Sequence, residues 1–379
     1  MVFVTMFLNC QNVHLIKDPG MIPFHLHKKY GWDCRIACYR NDEDYTYLRK
    51  EVLGLKLDFI EKKYGSILLD GLSYLRKHGK EIDALHLFHV QSIWNFFWVD
   101  EYLKRNPNGK VYMKLDTDFN IRNQQALGKR FPQFRLKRMR KFSLISVESE
   151  STVEILRKKW GKDLPLKYLP NGYFSYEKKI TKYAEKENII LHVARMGTEQ
   201  KDTETLLEGF YKFKMECCKE DNDWKLRLVG SIEPDFEIKL VEFIEKHSEI
   251  KNDIEYLGCI DNIEELEKQY EKAKIFVLSS RWESFGIAAI EAQARGCYLI
   301  LSDFPVAFDL VQWGKYGKTF AIEDCVGLCR CLEGTCFDED LLSSNCLTAQ
   351  QYAMKKYDWE TIVESIYMEL VDAKRQKNS

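Results

Sequence analysis

Two glutamates with seven residues between them, Glu283 and Glu291, lie in the segment SSRWESFGIAAIEAQARGC. The run before Glu283, KIFVLSS, is short, β-branched and apolar, which predicts a buried parallel strand. The run after it, GIAAIEAQARG, has small apolar residues at helical spacing and ends at Gly296, which predicts a helix. Glu283 should therefore lie at the carboxyl end of a sheet, beside a helix N-terminus. A carboxylate and backbone N–H groups at such a place suit a ligand that carries both hydroxyls and phosphates.

Two cations follow another strand-like run, NIILHVA. Arg195 and Lys201 lie six residues apart across a glycine turn, just before a predicted helix, and form a candidate diphosphate clamp. Gly230 and Gly258 end the next two strand-like runs, where glycine lets the backbone approach a nucleotide base closely. Each feature alone has a simpler interpretation, because loop cations are usually solvated and a glycine after a strand is usually a turn residue. Their shared position at strand ends indicates a binding site.

Parallel sheets are needed to hold these residues. Strand-like runs alternate with helix-like segments in both halves of the chain, which is typical of parallel sheets flanked by helices. The runs are VFVTMFL, CRIACY, LDFIE, LHLFHV, VYMKLD and FSLISVES, then NIILHVA, WKLRLVG, DIEYLG, KIFVLS and CYLILS. Between the two sets the alternation pauses at a Pro-Asn-Gly turn that begins at Pro170. The sequence therefore predicts an α/β protein with two doubly wound units.

The turn at Pro170 also suggests where the domains meet. We predict an N-terminal Rossmann-like domain over residues 1–176 and a C-terminal one over residues 177–356. An amphipathic helix over residues 357–379, with Asp358 as its N-cap, is expected to complete the first domain.

The chain is nearly neutral overall, with 57 Lys and Arg against 58 Asp and Glu, but one segment is strongly basic. Between Glu101 and Ser143 there are twelve Lys or Arg residues against three acidic ones, a net charge of +9. Such a concentration of cations indicates a polyanion, an anionic lipid surface or a phosphorylated substrate. A solvated helix face is the simpler alternative. Residues 104–141 are therefore a candidate contact with an anionic membrane.

Apolar runs and cysteines limit the class of protein further. No apolar run reaches the roughly 18 residues of a membrane span. A signal peptide would begin with positive residues, but none precedes Lys17. Twelve cysteines without an export signal favour a reducing compartment. We expect a cytoplasmic protein, with any membrane contact made from the inner face. The cluster Cys325, Cys329, Cys331 and Cys336 has no CxxC pair and no neighbouring His, so buried thiols are expected there and no metal site.

Together, Arg195, Lys201, the glycine-ended strands and ESFGIAAIEA resemble the retaining glycosyltransferases of family 4, whose most specific signature is the Glu-x7-Glu pair. The resemblance is strong from about Asn188 to Asp303 and looser through VHLIKDPGMIPFHLHKKYGW and YLPNGY. It implies a GT-B fold, in which two Rossmann-like domains face each other across a cleft. In that fold the C-terminal domain binds a nucleotide sugar.

The resemblance also implies roles for residues of the second domain. Arg195 and Lys201 would neutralise the diphosphate and stabilise the leaving group, with no metal ion or other cofactor. Glu291 would accept hydrogen bonds from the ribose hydroxyls. Glu283 would hold the hydroxyls of the donor sugar, together with backbone amides that also contact the pyrophosphate. Those amides belong to Ser284, Phe285, Gly286 and Ile287.

Two points of chemistry stay open at this level. The base, uracil or guanine, would be read largely by backbone near Gly258 and Cys259. Glu283 is either a nucleophile or only a sugar-binding residue, since the family is thought to use front-face retention, in which the leaving phosphate deprotonates the acceptor. Ala194 and Asp202 stand where the family commonly has glycines. Neither change removes a cation, and both indicate a subgroup of the family, such as enzymes that build surface polysaccharides.

The first domain carries weaker matches. The segment KDPGMIP follows the first strand at the place of the family's acceptor-side glycine loop, with Pro19 and Gly20 instead of the usual glycine pair. His89 ends LHLFHV and resembles a family histidine that approaches the donor sugar, the alternative being a core histidine. Asp116 and Asp118 follow VYMKL and are expected to orient the acceptor.

Other ionisable residues of the first domain are expected to matter less. His86 lies inside a strand-like run and is expected in the core. His25 and His27 are expected on a helix. Glu148 and Glu150 follow FSLIS and are weaker candidates for the acceptor site.

The predicted function is retaining transfer of a hexose from a UDP- or GDP-sugar to a saccharide or lipid-linked acceptor, in cell-surface polysaccharide synthesis. Two other classes stay open. An NAD-dependent oxidoreductase would use the same doubly wound units, but no G-x-G-x-x-G follows a strand. A nucleic-acid-binding protein would use the basic segment, but no recognised module accompanies it, so no nucleic-acid partner is expected.

Overall fold

The structure is a computed structural model, and it describes residues 1–88, 93–115, 133–216 and 222–372. Within these ranges the chain forms two compact units. The first contains Met1–Phe174 and the C-terminal segment from Tyr357, and the second is the continuous stretch Ser175–Lys356. The first boundary lies two residues before the expected end of the N-terminal domain at residue 176.

The first unit is a parallel sheet flanked by helices. Its described strands are β1 Val2–Met6, β2 Asp33–Cys38, β3 Lys56–Phe59, β4 Ala84–Phe88, β5 Lys110–Leu115, β6 Leu144–Val147 and β7 Leu166–Tyr168. They lie in the order β3-β2-β1-β4-β5-β6-β7. The described helices before residue 175 are α1 Asp18–Tyr30, α2 Thr46–Lys50, α3 Ile67–His78, α4 Ile93–Arg105, α5 Gln133–Met139 and α6 Glu150–Trp160, with a 3-10 turn at Asn12–Ile16.

The central strands of this sheet are buried on both faces, as is typical of parallel sheets. Neighbouring residues of β1 enter different cores: Phe3 packs in one apolar cluster and Val4 in the other. His86 lies fully buried on β4, where its Nδ1 is 3.0 Å from Thr5 Oγ1 and its ring stacks on Tyr112 at 4.4 Å. Burial lowers the pKa of His86 well below its ordinary value, and the nearby cation Lys114 lowers it further. His86 is therefore a neutral core residue, as its position in the sequence predicts.

The C-terminal helix, α14 Trp359–Asp372, packs on α1 in the first unit. Asp358 caps it, because its Oδ2 accepts a hydrogen bond from the Thr361 backbone N–H at 3.3 Å. The rings of Tyr30 and Tyr367 stack at 3.8 Å between the two helices. The predicted N-cap is therefore confirmed.

The second unit has a sheet of the same kind. Its described strands are β8 Glu187–Val193, β9 Lys225–Val229, β10 Ile254–Tyr256, β11 Ala273–Leu278, β12 Tyr298–Ser302 and β13 Gly317–Phe320. The helices are α7 Thr203–Glu216, α8 Pro234–Lys246, α9 Ile263–Lys272, α10 Ile287–Ala294, α11 Ala307–Leu310, α12 Cys325–Cys336 and α13 Glu339–Lys356, with 3-10 turns at Tyr183–Glu185 and Ser248–Asp253.

The strand order of the second sheet indicates at which edge a ligand is expected to bind. The strands lie in the order β10-β9-β8-β11-β12-β13, all parallel, so the direction of winding reverses between β8 and β11. Open α/β sheets bind ligands beyond the carboxyl ends of the strands at such a reversal. The loops after β8 and β11 carry the residues that the sequence singles out.

Some sequence expectations need correction. The strands β7 and β13 were not predicted, because LKY and GKTF are short and partly polar. Pro19 and Gly20 do not form a loop: both are buried in the first turn of α1, and a Cβ on Gly20 would lie 2.0 Å from Leu15 O. His89, Asp116 and Asp118 lie outside the described residues.

Less of the basic segment reaches the surface than its net charge suggests. Lys110 and Lys114 point into the interior from β5, with 7% and 2% of their surface exposed. Arg105 and Arg138 form ion pairs with Glu101 and Asp100, each at 2.8 Å. Within the described residues of this basic segment, the exposed cations are Lys104, Lys137, Arg140 and Lys141.

The cysteine cluster lies on one helix, α12, where Cys329 and Cys336 are buried and Cys325 and Cys331 are half-buried. Across the described ranges, no group of three or more His, Cys, Asp or Glu side chains is arranged to hold a metal ion. No helix in the described parts of the chain is both long enough and apolar enough to span a membrane.

Candidate active site

A buried ion pair connects the two loops at the reversal of the second sheet. Lys201 Nζ, after β8, contacts Glu283 Oε1, after β11, and Ser280 Oγ donates to the same oxygen at 2.7 Å. The side chains of Lys201 and Glu283 are only 19% and 8% exposed. Charges with so little water around them interact more strongly than surface pairs do. The sequence predicted both residues, and the structure brings them together.

Hydrogen bonds to backbone carbonyls fix the two loops to each other. The Arg281 N–H donates to Gln200 O at 2.8 Å, and Gln200 Nε2 donates to Trp282 O at 2.9 Å. Ser279 Oγ donates to Lys201 O at 3.0 Å. The two loops that carry Lys201 and Glu283 are therefore held in fixed positions, which a precise binding geometry requires.

Asp202 lies between Lys201 and the first residue of α7. It has φ +45° and is 3% exposed, in the left-handed region that asparagine and aspartate tolerate best among residues other than glycine. Thr205 Oγ1, in the first turn of α7, donates to Asp202 Oδ2 at 2.8 Å. Burial raises the pKa of the Asp202 carboxyl. Asp202 therefore adopts a backbone region that glycine favours, and its carboxylate accepts a hydrogen bond from the first turn of α7.

Arg195 has different surroundings from Lys201. Its Nε lies 3.5 Å from Glu233 Oε1, and its side chain is 63% exposed. The two predicted clamp cations therefore contact different carboxylates in this structure, and Arg195 is the more hydrated of the two.

Glu291 lies on α10, eight residues after Glu283. The Tyr270 hydroxyl donates to Glu291 Oε2 at 2.9 Å. Burial raises the pKa of Tyr270 well above its ordinary value, and the Glu291 carboxylate raises it further, so the phenol keeps its proton and remains a donor. Tyr270 was not predicted, because nothing in the sequence of α9 distinguishes it from a packing residue.

The helix α10 begins four residues after Glu283, so its N-terminus ends the loop that follows β11. Gly286 is its N-cap, with φ +88° and without a capping side-chain hydrogen bond in the described structure. Phe285 is buried, whereas Ser284 and Ile287 are half-buried. The first-turn N–H groups of a helix that lacks a side-chain cap can bind an anion.

The two strand-end glycines lie together. The Gly230 N–H donates to Gly258 O at 2.8 Å, and the backbone adopts φ +130° at Gly230 and +71° at Gly258. A Cβ on Gly230 would lie 2.0 Å from Ala194 O, whereas one on Gly258 would meet open space. Cys259 beside them is exposed, and its hydrogen bond to Asp261, 3.4 Å away, raises the pKa of its thiol.

His192 is a polar residue at the same sheet edge that sequence reasoning missed. It is fully buried one residue before the end of β8, and its Nδ1 lies 2.9 Å from Val277 O. Burial lowers its pKa to about 4, and Lys201 contributes in the same direction. Nδ1 therefore carries the proton of a neutral ring and donates to the carbonyl. The signal available in the sequence was a histidine near the end of an otherwise apolar strand.

In the first unit, a buried cation lies at the carboxyl end of β5. Lys114 Nζ is 2.9 Å from Glu148 Oε1, 3.2 Å from Asp18 Oδ2 and 2.6 Å from Asn171 Oδ1. Glu148 was a weaker sequence candidate, and Lys114 had been counted only as part of the basic segment. The structure instead makes Lys114 the centre of a charged cluster that anchors the start of α1.

The folds of known proteins place these two units in a class. A crystal structure of Anabaena Alr3699/HepE in complex with UDP matches with a TM-score of 0.73 at 15% identity, covering 98% of this chain and all of that one. Together with the two parallel-sheet units, this likeness defines an α/β GT-B fold.

Sequence comparison reaches a narrower part of the chain. Residues 175–324 match the family model described as "Glycosyl transferases group 1". Glycogen synthase of Mycobacterium tuberculosis is 27% identical over 136 residues, which are 36% of this chain and 32% of that protein.

A second curated relative is the GDP-mannose:cellobiosyl-diphosphopolyprenol alpha-mannosyltransferase of Xanthomonas oryzae pv. oryzae. It is 26% identical over 163 residues, which are 41% of this chain and 40% of that protein. The chain thus spans about a third to two fifths of the length of these relatives. The matched family region contains Arg195, Lys201, Glu283 and Glu291.

Proposed function

We propose that the protein is a retaining glycosyltransferase that moves a hexose from a UDP- or GDP-sugar to a saccharide or lipid-linked acceptor. The observation that carries this proposal is the Lys201–Glu283 pair at the reversal point of the second sheet. A cation and a carboxylate held on braced loops match the two halves of such a donor, its diphosphate and its sugar hydroxyls.

The donor diphosphate binds to Lys201, Arg195 and the first-turn N–H groups of α10. Lys201 is the stronger contributor because it is largely shielded from water, whereas Arg195 is 63% exposed. Positive charge at this place stabilises the negative charge that develops on the leaving phosphate, so the reaction proceeds without a metal ion.

Glu283 contacts the donor sugar and Glu291 the ribose. Ser280 and Lys201 both bind Glu283 Oε1, which fixes the position of that carboxylate. Tyr270 orients Glu291 in the same way through Oε2. Both carboxylates then accept hydrogen bonds from hydroxyl groups, which are neutral donors available in any nucleotide sugar. The base contacts backbone near Gly230, Gly258 and Cys259.

Transfer follows the front-face course. The bond between the anomeric carbon and the phosphate oxygen breaks, and a bond from the acceptor oxygen forms on the same face of the sugar. The acceptor proton passes to the departing phosphate oxygen, so no protein base is required. Glu283 acts in this scheme as a binding residue and not as a nucleophile.

The acceptor and the location are inferred from a curated relative and from the exposed cations of the first unit. The mannosyltransferase relative is named for a diphosphopolyprenol acceptor, which supports a lipid-linked acceptor and a role in cell-surface polysaccharide synthesis. The exposed cations of segment 104–141 would then contact the anionic inner face of the membrane from the cytoplasm.

Calorimetric titration of the full chain with UDP, GDP and NAD in EDTA tests the donor half of the proposal. Micromolar binding of one nucleoside diphosphate without metal is expected, and its identity names the base. Absence of binding by both diphosphates, or tighter binding of NAD, would contradict the proposal. Hydrolysis or transfer assays with the matching nucleotide sugars then identify the hexose.

A further inference from the structure

A groove of about 540 Å³ lies on the second unit, away from the residues of the candidate active site. One wall is a face of α13, since Asn345, Thr348, Tyr352 and Lys355 follow each other at helical intervals of three and four residues. The other wall is the segment before β13, through Lys315 and its neighbour Tyr316. Grooves of this volume are typical of small-molecule sites.

The charges that line the groove are of one sign. Lys315 and Lys355 contribute two cations, and none of the lining residues is an aspartate or glutamate. The exposed polar groups between them are hydroxyls and an amide, from Ser344, Thr348 and Gln351. This combination suits a ligand that carries both an anionic group and several hydroxyls.

Two tyrosines give the groove an aromatic surface. The rings of Tyr316 and Tyr352 lie 4.8 Å apart at 33°. Tyr316 is buried and supports Tyr352, which is half-buried. The face of an aromatic ring packs well against the apolar C–H face of a sugar ring, while the sugar's hydroxyls reach polar groups at the rim.

Asn345 is the second, independent indication of a ligand. It lines the groove and is 4% exposed, and among the described residues neither its Nδ2 nor its Oδ1 has a hydrogen-bond partner. Buried amides in folded proteins are nearly always hydrogen-bonded, so an exception calls for a missing partner. A hydroxyl group, which donates and accepts at once, can satisfy both atoms.

The loop that leads into the groove displays another aromatic side chain. Gln312, Trp313 and Gly314 have successive φ values of +47°, +55° and +98°, which strains the first two residues. This backbone holds Trp313 77% exposed, two residues before Lys315 and so within roughly 7 Å of it along the chain. Strained loops that expose a large aromatic are concentrated at binding sites.

We propose that this groove binds an acidic oligosaccharide, with sugar rings against Tyr352 and a uronic-acid carboxylate between Lys315 and Lys355. The site is separate from the nucleotide-sugar site, and the proposal does not depend on the transferase activity. A saccharide is favoured over a nucleic acid or a lipid surface because the lining combines the face of an aromatic ring with hydroxyl, amide and ammonium groups.

The test uses the full chain and tetragalacturonate as the probe, titrated by calorimetry at low salt. We expect binding with a dissociation constant below about 1 mM, at least tenfold tighter than for neutral maltotetraose. The K315Q/K355Q variant should lose tenfold or more in affinity. K246Q/K251Q removes two exposed lysines of the same unit outside the groove and should bind as the parent does. Tyr352→Leu should also weaken tetragalacturonate binding, and saturating UDP should leave it unchanged.

Several outcomes would overturn this inference. Undetectable tetragalacturonate binding, equal binding of maltotetraose, or equal losses in the two double variants would each do so. Displacement by an equal concentration of sulfate would identify a simple anion site, and tighter binding of a single-stranded oligonucleotide would identify a nucleic-acid site. Competition by UDP would show that tetragalacturonate binds at the candidate active site and not in the groove. Failure of nucleotide binding alone would leave the groove proposal intact and contradict only the proposed function.

Discussion

Lys201 holds a carboxylate that an incoming diphosphate would have to share or displace. The pair is anchored on both sides, by Ser280 at the Glu283 oxygen and by Ser279 at the Lys201 carbonyl. Ligand binding at this place therefore exchanges one anionic partner of Lys201 for another and does not create a new buried charge. That exchange avoids much of the desolvation penalty that an unpaired buried ammonium would suffer.

Removal of the two clamp cations should have unequal effects. Lys201→Ala should weaken UDP or GDP binding by about 1.5–3 kcal/mol, the range for a hydrogen bond to a charged group. Arg195→Ala should weaken it by about 1 kcal/mol or less, because solvent screens an exposed pair. Calorimetric titration measures both, with Lys246→Ala as the matched control on an exposed lysine of the same unit. Equal affinities in all three variants would remove the clamp from the mechanism.

Glu283→Gln separates the sugar role from the nucleotide role. The amide keeps the shape of the side chain but no longer competes as an anion for Lys201. Free UDP or GDP should therefore bind as tightly as before or more tightly, while transfer of the sugar should be lost. Nucleotide affinity is measured by calorimetry and transfer by product formation with the identified donor. A large loss of nucleotide affinity would instead assign Glu283 to the phosphates.

Single residues show where sequence reasoning stops at this scale. Arg195, Lys201 and Glu283 were recognisable because they follow strand-like runs, and Glu291 because of its spacing from Glu283. Their partners were not, since Lys201 and Glu283 are 82 positions apart and only the folded sheet brings them into contact. Tyr270 and His192 were missed because a single aromatic residue on a helix, or a histidine in an apolar strand, usually serves packing.

At the scale of elements, the two glycines at neighbouring strand ends perform different tasks. Gly230 must lack a side chain, because a Cβ there would overlap the Ala194 carbonyl that precedes the clamp loop. Gly258 needs only its left-handed backbone, because the space beside it is open. The hydrogen bond between them joins the ends of β9 and β10 and sets the floor on which a base would lie.

Alanine substitutions should separate these two requirements. Gly230→Ala should lower the free energy of unfolding by more than about 2 kcal/mol, since it adds both backbone strain and a backbone clash. Gly258→Ala should lower it by about 1–2 kcal/mol, from the left-handed conformation alone. Urea denaturation monitored by tryptophan fluorescence compares the two variants. Equal losses would show that the contact with Ala194 relaxes without cost.

Element type followed from periodicity wherever the element was long and apolar. β7 and β13 escaped because three or four partly polar residues carry no clear alternation, and their strand character comes from pairing with β6 and β12. Pro19 and Gly20 suggested a loop, but proline is favoured in the first turn of a helix, and Leu15 leaves room only for glycine at position 20. The buried positions of Lys110 and Lys114 could not be read from net charge, which contains no information about the face of a strand.

At the scale of the whole molecule, the second unit is one continuous stretch with its own apolar core. That core includes Ile190, Phe210, Leu226, Ile275 and Leu332, all between Ser175 and Lys356. If the second unit alone holds the nucleotide, a fragment of residues 175–356 should fold and bind UDP or GDP with the affinity of the full chain. Circular dichroism and calorimetry check this. A folded fragment that no longer binds nucleotide would mean that the first unit supplies part of the donor site.

The first unit, by contrast, is interrupted. Its sheet is encoded before residue 175, but α14, which supplies Trp359, Ile362, Val363 and Ile366 to its core, is encoded after residue 356. On a ribosome the second unit can finish folding while the first still shows an apolar face that α14 has not yet covered. A segment translated after the whole second unit thus covers the core of the first, and a product terminated before α14 would retain a finished second unit beside an unfinished one. Chaperones and proteases in the cell would meet that exposed face in any product that lacks α14.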